Sequence, residues 1–209
     1  MKNIRAVIFD CDGVMFDSRQ ANISYYNHLL DHFDLPPMGD EQVSYVHAHT
    51  AVDSIRHIFQ GTPFFEKAVD FARTIDYSPF IQEMIMEPGL IDLLRRLKSR
   101  LGIGMATNRS TTIQGVLTSY GLAPYFDIVV SSLDVQHPKP DPESLFKILT
   151  FFGITPLEAF YVGDSPVDYE TARAAGVPFI AYKNPRLQTD YHAGRMTDIA
   201  ALLDGTPQG

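Results

Sequence analysis

The stretch VIFDCDGVMFDS (residues 7–18) runs from apolar residues directly into three carboxylates, Asp10, Asp12 and Asp17. Its apolar part has the length and composition of a buried strand. Like charges at the end of a buried segment repel one another, and a purely structural role does not easily explain them. A bound cation, or a catalytic use of the carboxylates, would explain the cluster.

The overall composition is that of an ordinary globular protein. The chain has 209 residues and a formal net charge of −8, which suits one sizeable domain or one domain with an insert. The acidic balance argues against nucleic acid or an anionic membrane as a partner, and no stretch approaches the ~20 apolar residues of a membrane span. The single cysteine, Cys11, fits a reducing compartment, so we expect a cytoplasmic protein. Both a monomer and a homodimer remain open.

From residue 88 onwards, helix-like and strand-like blocks alternate. Apolar residues at i, i+3, i+4 and i+7 predict helices over 88–100, 111–121 and 143–153, and Gly102, Gly121 and Gly153 are predicted to follow the helix ends. The predicted strands are AVIFD (6–10), GIGMAT (102–107), FDIVVSS (126–132), AFYVGD (159–164) and VPFIAY (177–182). The tail contains one further predicted helix, TDIAALLD (197–204).

This alternation predicts an α/β fold with a Rossmann-like, doubly wound parallel sheet. The first crossover, residues 17–87, is far longer than a connection requires and contains no predicted strand. Its helix-like blocks are RQANISYYNHLLDHF, EQVSYVHA, AVDSIRHIF and FFEKAVDFARTI. We therefore expect residues 17–87 to form a small helical domain inserted into a core of residues 1–16 and 88–209.

Distinctive polar residues gather where the predicted strands end. The first strand is followed by Asp10 and Asp12, the second by Thr107 and Asn108, the third by a loop with Lys139, and the fourth by Asp164 and Asp168. Taken singly, each could be a turn residue, a helix cap or a solvated lysine. Because ligands of open parallel sheets bind at the carboxyl ends of the strands, their convergence on one edge favours a functional site.

These residue types suit phosphoryl transfer. Hard cations such as Mg²⁺ prefer carboxylate oxygens, and a carboxylate can act as a nucleophile that forms an aspartyl-phosphate. Residues i and i+2 share one side of an extended segment, so Asp10 and Asp12 can both face the site. The second carboxylate can then supply the proton that the leaving group needs.

Four motifs in order resemble those of the haloacid dehalogenase superfamily, on its phosphatase side. They are DCDGVMFDS (10–18), ATNRS (106–110), Lys139 in HPKPDPE, and VGDSPVD (162–168). The general shape is similar to that of phosphoglycolate phosphatases and β-phosphoglucomutase-like members. Residues 17–87 stand where that superfamily carries its helical cap.

The resemblance implies a role for each strand-end residue. Asp10 is implied as nucleophile and Mg²⁺ ligand, Asp12 as general acid and base with its main-chain carbonyl on the metal, Thr107 and Asn108 as phosphate-binding residues, Lys139 as partner of the phosphate and of Asp10, and Asp164 and Asp168 as ligand and support of the metal site. The turn with His47, His49 and Thr50 is expected to face the substrate. That substrate is expected to be a small phosphorylated metabolite.

Asp12 separates the possible reactions. The true dehalogenases of the superfamily lack this second aspartate, because a halide leaves without a proton whereas an alkoxide needs one. The preferred hypothesis is therefore a Mg²⁺-dependent phosphatase acting on a phosphoglycolate-like or sugar-phosphate-like compound. The alternatives are a phosphosugar mutase of the β-phosphoglucomutase type, a 2-haloacid dehalogenase, and a non-enzymatic phospho-acceptor domain.

Overall fold

The computed structural model of the chain describes residues 4–205, whose strands form one large sheet and one small ribbon. The strands are β1 (Ala6–Phe9), β2 (Phe16–Asp17), β3 (Ile85–Met86), β4 (Gly102–Ala106), β5 (Ile128–Val130), β6 (Ala159–Gly163), β7 (Phe179–Tyr182) and β8 (Tyr191–Ala193). The large sheet is parallel and has the order β5–β4–β1–β6–β7–β8. Because the chain crosses from β1 to both sides, the sheet is doubly wound, and the predicted fold class is confirmed.

The helices cover both faces of this sheet and fill the long first crossover. They are α1 (Arg19–Asp31), α2 (Asp40–Ala48), α3 (Ala51–Ile58), α4 (Phe65–Ala72), α5 (Ser78–Ile81), α6 (Leu90–Lys98), α7 (Thr112–Ser119), α8 (Glu143–Phe152), α9 (Pro166–Ala175) and α10 (Met196–Asp204). Every predicted helix occurs within a few residues of its predicted bounds. The structure adds α5 and α9, for which no helical pattern was identified.

The central strand β1 shows why both faces need a helical layer. Val7 and Phe9 belong to the hydrophobic cluster beneath α6, α7 and α10, whereas Ala6 and Ile8 belong to the cluster beneath α8 and α9. All four residues are fully buried. A strand that is apolar on both faces in this way is typical of a parallel sheet covered on both sides.

Two of the three glycine predictions are confirmed. Gly153 ends α8 in the left-handed conformation with φ +61°, and Gly121 follows α7 with φ +65°. The prediction for Gly102 is wrong, because α6 already ends at Lys98 and Gly102 is the first residue of β4.

The helices of the first crossover have a hydrophobic cluster of their own. It includes Tyr26 and Leu29 from α1, Ile55 from α3, and Phe59, and it is separate from the two clusters around the sheet. The proposed boundaries of the inserted domain, 17–87, stay a prediction. Among residues 4–205, no helix combines the length and apolar character that crossing a membrane requires.

The structure contains two strand features that the sequence did not indicate. Where the chain enters and leaves the first crossover, β2 and β3 pair antiparallel, with Phe16 opposite Met86 and Asp17 opposite Ile85. The expectation of no strand between residues 17 and 87 is therefore wrong. At the far edge of the large sheet, β8 has only three residues. Segments this short are below the length at which alternation can be recognised.

Candidate active site

Three neighbouring strands end at one point of the sheet edge. β1 lies between β4 and β6, so Asp10, Thr107 and Asp164, which directly follow these strands, come together. The main-chain N–H of Asp10 donates to the carbonyl of Val162 at 2.9 Å, which continues the strand pairing through Asp10. This is the switch point of the sheet, where ligands of such folds bind.

Lys139 reaches this point from the loop between β5 and α8. Its Nζ lies 2.9 Å from Oδ1 of Asp10 and 2.6 Å from Oδ1 of Asp168, and it donates to the hydroxyl of Tyr161 at 2.9 Å. The residue is only 6% exposed. Burial alone would lower the pKa of Lys139, but Asp10 and Asp168 raise it above its ordinary value, so the ammonium stays charged.

The backbone of Lys139 is held by Asn108. The Asn108 side chain accepts from the N–H of Lys139 at 3.1 Å and donates to the carbonyl of Lys139 at 3.2 Å. It also donates to the carbonyl of Ala48, the last residue of α2, at 3.2 Å. Because these contacts occupy the side-chain amide, the main-chain N–H of Asn108 is the better candidate for contact with a phosphate.

Asp168 lies in the first turn of α9 with both carboxylate oxygens occupied. Oδ1 accepts from Lys139 and from the hydroxyl of Tyr161 at 2.7 Å, and Oδ2 accepts from the N–H of Ser165 at 3.1 Å and from its hydroxyl at 2.5 Å. Burial would raise the pKa of Asp168, but Lys139 and these hydrogen bonds hold it below its ordinary value. With its lone pairs in use, Asp168 suits a supporting role better than direct metal ligation.

Asp10 and Asp164 differ from Asp168, because some of their carboxylate oxygens have no partner among residues 4–205. Oδ2 of Asp10 and both side-chain oxygens of Asp164 make no hydrogen bond or ion pair to another residue within 4–205. Burial and the charge of Asp168 raise the pKa of Asp164 to about 7. Burial, followed by Asp168, also raises the pKa of Asp10, against the effect of Lys139.

The donor set fits a divalent cation. Oxygens of Asp10, Asp164 and Asp168 lie within 4.8 Å of one another, and Lys139 balances only one of the three negative charges. Gly13 permits this close approach, because a Cβ on Gly13 would overlap the carboxylate of Asp164. One or two carboxylates with room for further oxygen ligands is the environment in which proteins bind Mg²⁺.

Asp12 belongs to a separate ion pair next to this cluster. Its Oδ1 lies 2.6 Å from Nη2 of Arg109, and its Oδ2 accepts from Nε of Arg109 at 2.8 Å. The hydroxyl of Ser18 also donates to Oδ1. Burial would raise the pKa of Asp12, but Arg109 outweighs burial and lowers it.

The three predicted residues at the junction of α2 and α3 have different surroundings. Nδ2 of Asn22, which can only donate, lies 3.2 Å from His47 Nδ1, so Nδ1 accepts and Nε2 carries the ring proton in this arrangement. His49 stacks on Tyr45 at 3.8 Å and hydrogen-bonds the Tyr45 carbonyl. Thr50 caps α3 by accepting from the N–H of Asp53. His47 therefore has the most freedom to contact a substrate.

All but one of the predicted site residues line a single cavity of about 710 Å³. They are Asp10, Asp12, His47, His49, Thr50, Thr107, Asn108, Lys139 and Asp164. Asp168 lies behind Lys139 and does not line it. The volume falls within the range of ~300–1,000 Å³ that is common for small-molecule sites.

Three residues with direct contacts in the site carry no assigned role in the sequence analysis. Arg109 pairs with Asp12, Ser18 donates to Asp12, and Tyr161 bridges Lys139 and Asp168. Arg109 directly follows Thr107 and Asn108 at the end of a predicted strand, so its position in the sequence could have indicated a role in the site. Tyr161 lies within a strand and Ser18 precedes a helix, so their position in the sequence gave no such signal.

The family follows from comparison with known proteins. The profile described as haloacid dehalogenase-like hydrolase matches residues 7–182, and the chain belongs to this family. A phosphoglycolate phosphatase of Salmonella paratyphi A is 30% identical, over 86% of this chain and 81% of that protein. The protein is therefore an enzyme of the hydrolase class.

Solved structures agree with this membership. A haloacid dehalogenase superfamily hydrolase of subfamily IA, variant 1, from Geobacter sulfurreducens has a TM-score of 0.85 at 42% identity, covering 95% of this chain and 99% of that one. A β-phosphoglucomutase from Clostridium difficile has a TM-score of 0.82 at 18% identity, covering 96% and 97%. Because its sequence identity is only 18%, the similarity to the β-phosphoglucomutase shows a shared fold and nothing more.

The contact between Gly13 and Asp164 can be tested with a matched pair of glycine variants. Gly13 and Gly153 both have positive φ, +76° and +61°, but no heavy atom lies within 4 Å of a Cβ placed on Gly153. Both Gly→Ala changes should therefore lower the free energy of unfolding by ~1–2 kcal/mol from backbone strain. Only Gly13→Ala should lose more stability and weaken Mg²⁺ binding, measured by urea unfolding and calorimetry. Equal losses of stability in the two variants, with unchanged Mg²⁺ affinity in Gly13→Ala, would contradict the close contact between Gly13 and the carboxylate of Asp164.

Proposed function

We propose that the protein is a Mg²⁺-dependent phosphatase that hydrolyses a small phosphorylated metabolite through an aspartyl-phosphate on Asp10. The observation that carries the proposal is the buried pair of Asp10 and Lys139, with Asp12 two residues away. Beside this pair lies the carboxylate of Asp164, whose oxygens have no partner residue within 4–205. The relative named phosphoglycolate phosphatase supports a substrate of the phosphoglycolate or sugar-phosphate kind.

The first half of the reaction transfers the phosphoryl group to the protein. Lys139 occupies Oδ1 of Asp10, so we assign the attack on phosphorus to Oδ2. The bond from phosphorus to the leaving-group oxygen breaks, and Asp12 gives that oxygen a proton. The hydroxyl of Thr107 and the N–H of Asn108 donate to the phosphoryl oxygens, whose charge is spread in the transition state. The Lys139 ammonium, whose three N–H groups contact Asp10, Asp168 and Tyr161, offsets that negative charge.

The second half of the reaction releases phosphate. Water attacks the phosphorus of the aspartyl-phosphate, Asp12 takes a proton from this water, and the bond from phosphorus to Oδ2 of Asp10 breaks. Inorganic phosphate leaves, and the ionised Asp10 is regenerated. Asp12 thus ends the cycle with the proton that the next transfer requires, whereas Arg109 favours its ionised form in the protein without substrate.

Asp10 and Asp164 would hold the Mg²⁺ ion, together with the main-chain carbonyl of Asp12, and Asp168 would support the site through Lys139 and Ser165. When bound, the ion supplies positive charge that offsets the carboxylates and the transferring phosphoryl group. Residues 17–87 act as a cap that excludes water from the site. The single cysteine keeps the cytoplasm as the expected compartment, and monomer and homodimer both remain compatible with the proposal.

A phosphosugar mutase with the same aspartyl-phosphate is the second candidate. The cavity of about 710 Å³ has room for more than a two-carbon phosphoester, which favours keeping this candidate. A mutase would convert β-glucose 1-phosphate into an isomer, after priming with a bisphosphate, and release little inorganic phosphate. A phosphatase would release phosphate in proportion to the substrate consumed.

The central test is a phosphate-release screen over small phosphoesters, with Mg²⁺ and with a chelator. Asp10→Asn should abolish turnover on the best substrate, because the amide cannot form the aspartyl-phosphate. Asp92→Asn, on the exposed face of α6 with a side chain 83% exposed, is the matched control and should keep the wild-type rate. Wild-type activity in Asp10→Asn would contradict the mechanism. Release of chloride from 2-chloropropionate would favour the dehalogenase alternative.

His47 is expected to contact an oxygen of the substrate outside the phosphate. His47→Ala should raise KM by roughly 10–100-fold with little change in kcat, as expected for loss of one hydrogen bond to a charged group. His192→Ala, at the exposed middle position of β8, is the control for removing a histidine elsewhere. The measurement is steady-state kinetics on the best substrate of the screen. An unchanged KM would remove His47 from substrate binding.

A further inference from the structure

We propose that Arg109 is a positioning residue that fixes the carboxylate of Asp12 for proton transfer, an inference that rests on the proposed phosphatase function. Asp12 lies in the loop between β1 and β2, where no regular element sets its rotamer. Its side-chain hydrogen bonds within 4–205 are the two from Arg109 and the one from Ser18. The direction in which Asp12 presents its oxygens therefore depends chiefly on this arginine.

Arg109 lines the cavity, but its donors are already occupied. Nε and Nη2 donate to the two oxygens of Asp12, and Nη1 donates to the hydroxyls of Tyr77 and Thr112, each at 3.3 Å. The second proton of Nη2 faces the sulfur of Met84 at 3.7 Å. A guanidinium has five N–H donors, and these contacts account for all five. Arg109 therefore has none left for a substrate anion, which separates a positioning role from a binding role.

The same contacts distinguish the two oxygens of Asp12. Oδ1 accepts from Nη2 of Arg109 and from Ser18, so both of its lone pairs are in use. Oδ2 accepts only from Nε of Arg109, at 2.8 Å. The free lone pair is thus on Oδ2, and this is the oxygen that carries the proton to the leaving group and later accepts it from water.

Arg109 also connects this carboxylate to the inserted helical region. Tyr77 and Met84 both lie within residues 17–87, and the Arg109 guanidinium carbon is 5.5 Å from the centre of the Tyr77 ring. The Arg109 side chain is only 7% exposed, so these contacts are shielded from water. The full set of contacts exists only while residues 77–84 are packed against the core. The orientation of Asp12 is therefore coupled to the position of this region.

The sensitivity of catalysis to the leaving group separates positioning from a merely structural role. An alkyl phosphoester has a basic leaving oxygen that needs the proton of Asp12, whereas p-nitrophenolate leaves readily without one. Arg109→Gln should lower kcat/KM, which reports the phosphoryl-transfer step and not the later hydrolysis common to both substrates, by ~100-fold on an alkyl phosphoester such as 2-phosphoglycolate. The loss of kcat/KM on p-nitrophenyl phosphate should be at least ~10-fold smaller.

Two further variants sharpen the test. Arg109→Lys keeps the charge but cannot bind both oxygens of Asp12 as a fork, so it should recover only part of the alkyl activity. In an Asp12→Asn background, Arg109→Gln should cause no further loss, because the two residues act as one unit. Arg96→Gln, which removes an exposed pair with Asp204 on α10, is the control and should leave both activities unchanged.

Each outcome decides the proposal. Equal losses on the two substrates, a loss in KM alone, or additive losses in the double variant would each overturn the positioning role. If Arg109→Gln does not fold, as judged by urea unfolding, the lysine variant carries the same comparison between substrates. A wild-type protein that releases phosphate from neither compound nor from the screened phosphoesters would refute the proposed function itself, which is a different result from a failed comparison among active variants.

Discussion

One buried ammonium group organises the whole site. Nζ of Lys139 lies between the carboxylates of Asp10 and Asp168, so it joins the end of β1, the loop after β5 and the first turn of α9. A buried charge is tolerated only when its partners are close and their remaining hydrogen bonds are made, and Tyr161 and Ser165 complete those bonds around Asp168. Removing the ammonium would leave two carboxylates facing each other in a nearly dry environment.

The positive charge of Lys139 does not balance the negative charge of the carboxylates around it. Asp10, Asp164 and Asp168 bring three carboxylates against the one positive charge of Lys139. Burial, followed by the charge of Asp168, raises the pKa of both Asp10 and Asp164. A divalent cation matches the excess in sign and size. Donors fixed in place before the substrate arrives cost little reorganisation when charge shifts during phosphoryl transfer, which is the main electrostatic source of catalysis in such sites. Under the proposed function, the repulsion inside DCDGVMFDS is the consequence of a site that binds a cation and a phosphate.

The sequence predicted the fold and the location of the site for a simple geometric reason. Parallel strands end on one edge, so residues that follow them meet there whatever the details of packing, and Asp10, Thr107 and Asp164 do so. Contacts between distant side chains are a different matter. Arg109 meets Asp12 across 97 residues of sequence, and nothing in either local pattern specifies that pairing. The two-stranded ribbon of β2 and β3 was not predicted, because a strand of two residues is too short to show the alternation of apolar and polar residues.

At the junction of α2 and α3, the three predicted residues differ in how free they are to contact a substrate. His47, His49 and Thr50 all line the cavity, but His49 is held by Tyr45 and Thr50 caps α3. Their contact with substrate stays a prediction, and His47 is the residue whose hydrogen bonding leaves a ring donor available.

The claim on which the account depends is that phosphate passes through Asp10. Acid quenching during turnover of the best substrate, followed by peptide mass spectrometry, measures this directly. The account predicts that the peptide containing Asp10 gains the mass of one phosphoryl group and that this mass is lost again when substrate is exhausted. A phosphoryl group on another residue, or steady turnover without any phosphorylated peptide while a parallel quench of a known aspartyl-phosphate is detected, would contradict it.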